Sequence, residues 1–379
     1  ASGMNEKGWA FVFSAGKRYA KEGYFDGTSY DANSIFVSIE KQLTKRNSIN
    51  FTAFFTPNSR GKNSPNTDEV TALTSLHYNS YWGFQNGKQR NSRIKTVVEP
   101  VFMLNDYFKI NAVTQLNLGV LYQFGKIGNS AIDYQNTNSP IPSHYKKMPS
   151  YFSSLYAKDE GEFSGAFTPD LANAALSKSL FLAQPQMDWE ALYKANQIPI
   201  VNAYGKIVGY EPTQSKYILY EDRTDDQTLA FNALLNTDLK ENIRLTAGVS
   251  FHKLHSHNYQ TVLDLLGGLY FEDVDVFYKG DQAQTDLNQP NRRVKVGDAY
   301  GYNFNVMGDR LEGFTQFQFR YQKVDFYLAQ EYSTSSYQRE GLYRNGIYPT
   351  NSFDKSPIIR FENFGFKGGL TWKVSGKQL

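Results

Sequence analysis

Three of the five histidines in the chain fall close together, at His252, His255 and His257. Imidazole is the commonest side chain on a bound metal, so a metal or haem contact is the first chemistry to weigh. Two-residue alternation through residues 243–252 places His252 on the polar face of a strand, with His255 and His257 in the loop beyond it. No paired carboxylate stands at a usual ligand spacing, and the chain has no cysteine at all. Hydration at a wet rim accounts for the three rings, and no metal or cofactor is implied. Carboxylates crowd at Glu221-Asp222 with Asp225-Asp226, and at Glu272-Asp273 with Asp275. Neither run has the spaced oxygens and glycine of a calcium loop, so both read as solvated loop charge. No Gly-x-Ser-x-Gly elbow, phosphate loop or His-Glu-x-x-His is present. Only His252 and His255 with Asp222 or Ser250 could be nominated for hydrolysis, and the expectation is a protein that is not an enzyme.

Recognition is better served by the aromatics, which concentrate between the regular segments at Tyr81, Trp82, Phe84, Tyr145, Tyr151, Phe152, Tyr156 and Tyr343. Flat amphipathic rings on loops suit sugars and peptides, but large loops also need small cores of their own. Both readings stand. The candidate ligand contacts are Tyr81, Trp82, Phe84, Tyr151, His252, His255 and Tyr343. Trp9, Trp372 and Tyr19 are better placed as a girdle at a lipid interface.

The elements that would position these residues are strands. In Ile243-Arg244-Leu245-Thr246-Ala247-Gly248-Val249-Ser250-Phe251 one face is apolar and the other is small and hydrogen-bonding. Segments of the same kind occupy residues 9–16, 35–43, 49–55, 94–104, 110–124, 229–239, 317–321, 324–328 and 363–374. Tight turns are expected at Thr44-Lys45-Arg46-Asn47, Asn105-Asp106, Lys240-Glu241-Asn242 and Gln322-Lys323. Residues 300–307 read as a strand of an extended hairpin. Long loops are expected over 57–93, 125–222, 254–297 and 339–358. Within them Asp68 can cap a helix through His77, Pro169-Asp170 can open one through Ala183, and residues 187–197 suggest another. Hairpin character shows around residues 207–220.

Loops that long are uncommon in compact domains, and here all fall at one end of an up-and-down chain. Long loops on one rim and short turns on the other are the asymmetry of an outer-membrane barrel. No apolar run approaches the length of a membrane-crossing helix. Mean hydropathy is −0.53, yet aromatics reach 16%, with 27 Tyr and 28 Phe. The 40 basic and 37 acidic residues nearly balance, which implies no nucleic-acid partner. The residues therefore point to an all-β fold, an antiparallel transmembrane β-barrel whose long extracellular loops contain short helices. Outer-membrane lipid is then a partner. Mixed charges on the polar face, at Glu40, Lys95, Glu99, Asp238, Arg244, Arg320, Asp325 and Lys367, would meet water or material filling the lumen.

Roughly ten crossing strands are expected, and an open wall would leave two edges that a bilayer forbids. The last segment leads into a turn-like Ser375-Gly376-Lys377, and no signal-peptide pattern opens the chain. The expectation is a single region, 1–379, forming an interior part of a larger barrel, with plug and C-terminal strands absent.

Short stretches carry a family likeness. Gly8-Trp9-Ala10-Phe11, Gly23-Tyr24-Phe25-Asp26-Gly27-Thr28 and Tyr81-Trp82-Gly83-Phe84-Gln85-Asn86-Gly87 with Arg90-Asn91 resemble the TonB-dependent outer-membrane receptors of the Bacteroidetes. The branch suggested carries a carboxypeptidase-regulatory-like N-terminal domain. Pro149-Ser150-Tyr151, Asp264-Leu265-Leu266-Gly267-Gly268, Val324-Asp325-Phe326, Tyr337-Gln338-Arg339-Glu340-Gly341 and Asn363-Phe364-Gly365-Phe366-Lys367-Gly368-Gly369-Leu370-Thr371 look like the same branch. The resemblance implies a barrel of about 22 strands around an N-terminal plug, energised by TonB from the periplasm. It implies uptake of a bulky nutrient: siderophore, peptide, glycan and haem stay open, as does a surface lipoprotein over the loops. A passive porin or surface adhesin on the same kind of barrel, and a soluble β-rich binding module, are the alternatives.

Overall fold

The computed structural model describes residues 2–134, 137–153 and 169–374. Tyr156 and the turn sequence at Ser375-Gly376-Lys377 lie outside them. In chain order the strands are β1 (Trp9–Ala20), β2 (Tyr30–Thr44), β3 (Asn47–Phe55) and β4 (Asn58–Gly61). A small hairpin follows, β5 (Trp82–Gln85) and β6 (Lys88–Asn91), then β7 (Ile94–Val98), β8 (Val101–Lys109) and β9 (Thr114–Asp133). A second hairpin, β10 (Gln197–Val201) and β11 (Ile207–Pro212), precedes the long strands β12 (Ile218–Lys240) and β13 (Ile243–Asp264). The chain continues through β14 (Phe271–Glu272), β15 (Arg293–Val294), β16 (Ala299–Arg320), β17 (Val324–Gly341), β18 (Asp354–Lys355) and β19 (Ile359–Trp372). Among the described residues four short helices sit between strands: α1 (Asp68–Leu73), α2 (Pro149–Ser153), α3 (Leu171–Ala183) and α4 (Trp189–Ala195).

One antiparallel sheet crosses in the order β1, β2, β3, β8, β9, β12, β13, β16, β17, β19, so each crossing strand pairs with its sequence neighbour in the meander. Turns at residues 45–46, 110–113, 241–242 and 321–323 close one rim. The opposite rim carries residues 21–29, 62–93, 137–153, 169–217, 265–298 and 342–358.

Register fixes what each face presents, because opposed residues point the same way. One row runs Phe11, Ile39, Phe51, Leu104, Val120, Phe231, Phe251, Leu311 across eight strands. A parallel row runs Leu118, Ala233, Val249, Gly313, Tyr332, Phe364. This face is bare: Ile39 is 38%, Val249 41% and Phe366 77% exposed. Among the described residues no second protein layer covers it. The reverse face carries Asn50, Asn105, Gly119, Asn232, Ser250, Glu312, Ser333 and Asn363 in one row. Side chains there are kept small by contact: a Cβ on Gly119 would come within 2.3 Å of Asn232 Oδ1. An apolar band outside a hydrogen-bonding interior is a transmembrane barrel wall.

Prolines break the wall at one level. Pro57 separates β3 from β4, and Pro100 separates β7 from β8, since neither can donate to the ladder. Between these pieces β4 bridges β2 to β7, and β7 passes on to β9. Gly125 completes the seam at φ 147°, where a Cβ would lie 2.0 Å from the Val98 carbonyl.

Several boundaries differ from the sequence reading. Asn105 and Asp106 lie inside β8 opposite Asn50 and Ile49, and the turn falls later, where Asn111 Oδ1 accepts from the Val113 amide at 2.9 Å. Helix α1 is capped by Thr67, not Asp68, and stops at Leu73. The expected loops 125–222, 254–297 and 339–358 are shortened at their ends by β9, β12, β13 and β17, whose ladders continue well past the apolar band. Outside the hydrocarbon the outer face turns polar, so hydropathy alternation ends while backbone pairing does not. For the same reason residues 300–307 belong to one continuous β16. His255 and His257 consequently stand in β13 and not in a loop.

Candidate ligand-facing surface

The long-loop rim is where nearly all complete burial occurs. Ile132, Met187, Trp189, Leu192, Leu219 and Leu266 form one core. Ile218, Val262, Leu265, Phe271, Val294 and Tyr300 form a second. Leu219 and Ile218 are adjacent in β12 and point to opposite faces, so loops clasp the strand tops from both sides. A third core joins Val70 and Tyr78 to Met148 and Phe181 of α3.

Buried asparagines fasten these loops. Asn79 donates to the carbonyls of Asp26 (2.8 Å) and Lys62 (3.2 Å), and accepts from the amides of Ser64 and Tyr81. Asn91 donates to the Gly27 and Lys62 carbonyls at 3.0 and 3.1 Å. Asn196 donates to the carbonyls of Tyr217, Leu265 and Leu266 at 2.7 to 3.0 Å. A short amide supplies both donors and an acceptor, which satisfies loop backbone that no ladder reaches.

Arg90 ties three loops together. Its guanidinium lies 4.2 Å over the Trp189 ring and donates to Asp264 Oδ2 at 2.7 Å, beside Tyr193 Oη at 3.0 Å from the same oxygen. Trp189 Nε1 returns a bond to the Arg90 carbonyl at 3.2 Å. Trp82 packs on Gly27, which has φ +69° and whose added Cβ would fall 2.1 Å from Trp82 Cγ. Gly83 meets the Met187 carbonyl just as closely, at 1.9 Å from an added Cβ.

The sequence candidates do not converge on one point. Phe84 stands 63% exposed, edge-on to Trp82. Tyr81 lies under the Arg93 guanidinium at 5.3 Å. Tyr151, in α2, packs against Tyr145 and Phe152. Tyr343 donates to the Ala299 carbonyl at 2.9 Å and lies under Arg292. His252 faces the polar side opposite Ala230 and Arg310, whereas His255 has the parity of Val249 and faces out. His257, also outward, bonds Asn303 at 2.6 Å and stacks on Tyr259. Among the described residues no three His, Asp or Glu side chains gather as a metal site. Trp9 and Trp372 both lie on the exposed face at the short-turn rim, with Lys41 4.8 Å over the Trp9 ring. Tyr19, equally exposed, is at the opposite rim beside Asp31.

The polar face adds Tyr30, Arg60, Asn129 and Gln260, which sequence reading did not single out, to Lys95 and Asp222, which it did. One row near the long-loop rim runs Tyr30, Arg60, Lys95, Asn129, Asp222, Gln260. Asp222 Oδ1 accepts from Gln260 Nε2 at 2.9 Å and Tyr302 Oη at 3.0 Å. Tyr300 Oη donates to Asp133 at 3.1 Å. The sole signal in the sequence is the Tyr300-Gly301-Tyr302 triplet, where Gly301 at φ +67° makes a bulge.

With this geometry established, comparisons with known proteins locate the fold. The chain aligns with the ferric-catecholate import receptor Fiu of E. coli K12 at TM-score 0.53, with 10% identity over 99% of this chain and 49% of that one. It aligns with the ferric citrate transporter FecA at TM-score 0.55 and 4% identity, over 99% of this chain and 38% of that one. The ferripyoverdine receptor of the outer membrane of Pseudomonas aeruginosa gives TM-score 0.51 and 9% identity, over 97% and 36%. No family model matches the sequence, and no curated protein does. The chain therefore shares the β-barrel fold of outer-membrane receptors and spans less than half the length of each of these three.

Proposed function

We propose that this chain supplies wall strands and outer loops to a TonB-dependent outer-membrane receptor that imports a scarce, bulky nutrient and performs no covalent chemistry. The observation that carries this reading is the single apolar band, bare on every crossing strand, with all elaborate structure gathered at one rim. A soluble module would have no use for such a band. The likeness to import receptors supports uptake as the task, and the motif resemblance supports the Bacteroidetes branch, with the chain an interior share of a larger barrel. The ligand contacts in this reading are Tyr81, Phe84, Tyr151, His252 and Tyr343, with Trp82 holding the hairpin that presents Phe84; His255, on the outward face, drops out of the set. Trp9 and Trp372 anchor the wall at the inner interface. TonB, acting through a plug, and an extracellular nutrient are the partners, and a surface lipoprotein over the exposed hairpin β10–β11 fits the same reading. The test is growth or radiolabelled uptake by cells expressing the full-length protein, with and without TonB. Uptake lost when TonB is removed is the expected result; uptake indifferent to TonB describes a passive porin and overturns it.

A further inference from the structure

Four cations form a square on the polar face just inside the long-loop rim. Arg60 of β4 is directly opposite Lys95 of β7. The ladder continues with the Lys62 amide donating to the Arg93 carbonyl at 2.8 Å, which sets those two side by side as well. Opposed like charges destabilise a sheet, and here two such pairs are stacked. None of the four makes an ion pair among the described residues. Lys62 Nζ reaches only the neutral Asn129 Oδ1, at 2.7 Å. Burial first, then Arg93, Lys95 and Arg60, hold the Lys62 ammonium below its ordinary range. Asp222 offsets part of this, but its Oδ1 already serves Gln260 and Tyr302.

The square does not face lipid. Lys95 shares a row with Asn129, which has the opposite parity to the outward Val120, Tyr122 and Phe124. Asn129 is five residues beyond Phe124 toward the loops, about 16 Å at strand rise. Tyr81 lies against Arg93, so an aromatic candidate borders the patch.

We infer that Arg60, Lys62, Arg93 and Lys95 seat the oxyanionic part of the imported solute, a ligand bearing two or more carboxylate or phosphate groups. Two guanidinium forks and two ammonium groups match such oxygens by charge-assisted bonds. This inference rests on the uptake reading above and narrows its substrate class. An acidic stretch elsewhere in the full-length protein carries the same chemistry, so the test must separate the two sources.

Citrate and inorganic tripolyphosphate serve as probes, with maltose as uncharged control, titrated by calorimetry onto the detergent-solubilised full-length protein. The expected result is saturable binding of at least one anion and none of maltose. Arg60→Gln with Lys95→Gln should weaken that binding at least about tenfold, the loss of one or more charged hydrogen bonds. The same variant, free of probe, should melt no lower than the parent, because repulsion has been removed. Lys62→Met is a second, independent variant that should weaken binding likewise, and Lys95→Arg, which keeps the charge, should retain it. Absence of binding by both anions, or unchanged affinity in the variants, overturns the inference. A lower melting temperature of the probe-free variant also overturns it, since the square would then be filled by the protein's own acids. Binding needs no energy source, so failure here leaves TonB-dependent uptake untouched, and loss of TonB dependence leaves the binding result standing.

Discussion

Arg90 and Asp264 are 174 residues apart in the chain and 2.7 Å apart in space, a bond that joins the β5–β6 hairpin to the top of β13. Their side chains are 23% and 30% exposed, so water screens the pair only partly. Arg90→Ala also uncovers Trp189. The expected loss is roughly 1–3 kcal/mol, felt by the loops and not by the wall. Hydrogen exchange should quicken in residues 82–91 and 189–196 while the central residues of β12 and β13 keep their protection. Uniform loss across both would refute a local clamp.

The apolar band makes a face-specific prediction. Val249 and Ser250 are neighbours in β13 with opposite parity. Val249→Arg should cost about 2–4 kcal/mol of folding free energy in a bilayer, as a charge set among lipid chains. Ser250→Arg, toward the wet side, should cost far less. Equal costs, measured by urea titration in lipid vesicles, would show that the band does not meet lipid.

Gly27 and Trp82 are coupled by contact. Gly27→Ala introduces a left-handed alanine and a Cβ 2.1 Å from the ring carbon, and should destabilise by roughly 1–3 kcal/mol. In a Trp82→Ala background the two ring-carbon clashes disappear, leaving the 2.7 Å approach to the residue-82 Cβ and the backbone strain. A double-mutant cycle should then give coupling of at least about 0.5 kcal/mol. Additivity would place Trp82 elsewhere.

The turn leading into α2 should respond to pH. Burial first, then Lys147 and Lys146, push the His144 imidazole below its ordinary range, and its Nδ1 accepts from the Lys146 amide at 3.4 Å. A depressed value means the neutral form is favoured on folding. Its contribution is present above the unfolded value near 6.5 and lost as pH falls through the folded one. Exchange at residues 145–153 should accelerate below pH 6 relative to the strands. His144→Gln should abolish that acceleration.

Wall and faces were legible because alternation is local and repeats in each strand. Val249 and Phe251 announce the lipid side whatever they pair with. Helix α3 was equally readable: Asp170 caps it at the Asn173 amide, 3.0 Å away, and it ends at Ala183 as its pattern requires. The Asn105-Asp106 pair misled because turn-forming residues also serve inside a strand here: Asn105 is an inward-facing residue of a wet barrel, and Asp106 stands on the outer face near the short-turn rim, paired with Asn47. The rim was opaque for a different reason. Asn196 clamps backbone about seventy residues away, and the cation square needs β4 beside β7, which only the proline breaks bring about. No local pattern encodes either.

Burying one set of side chains on each side of the β12 top has a mechanical consequence. A strand end gripped on a single side can peel; gripped on both, it must stay straight or unfold altogether. In the proposed receptor whatever passes this mouth would meet a stiff collar, and the give needed to admit a cargo would be left to protruding segments such as residues 198–211, whose apolar side chains stand in the open.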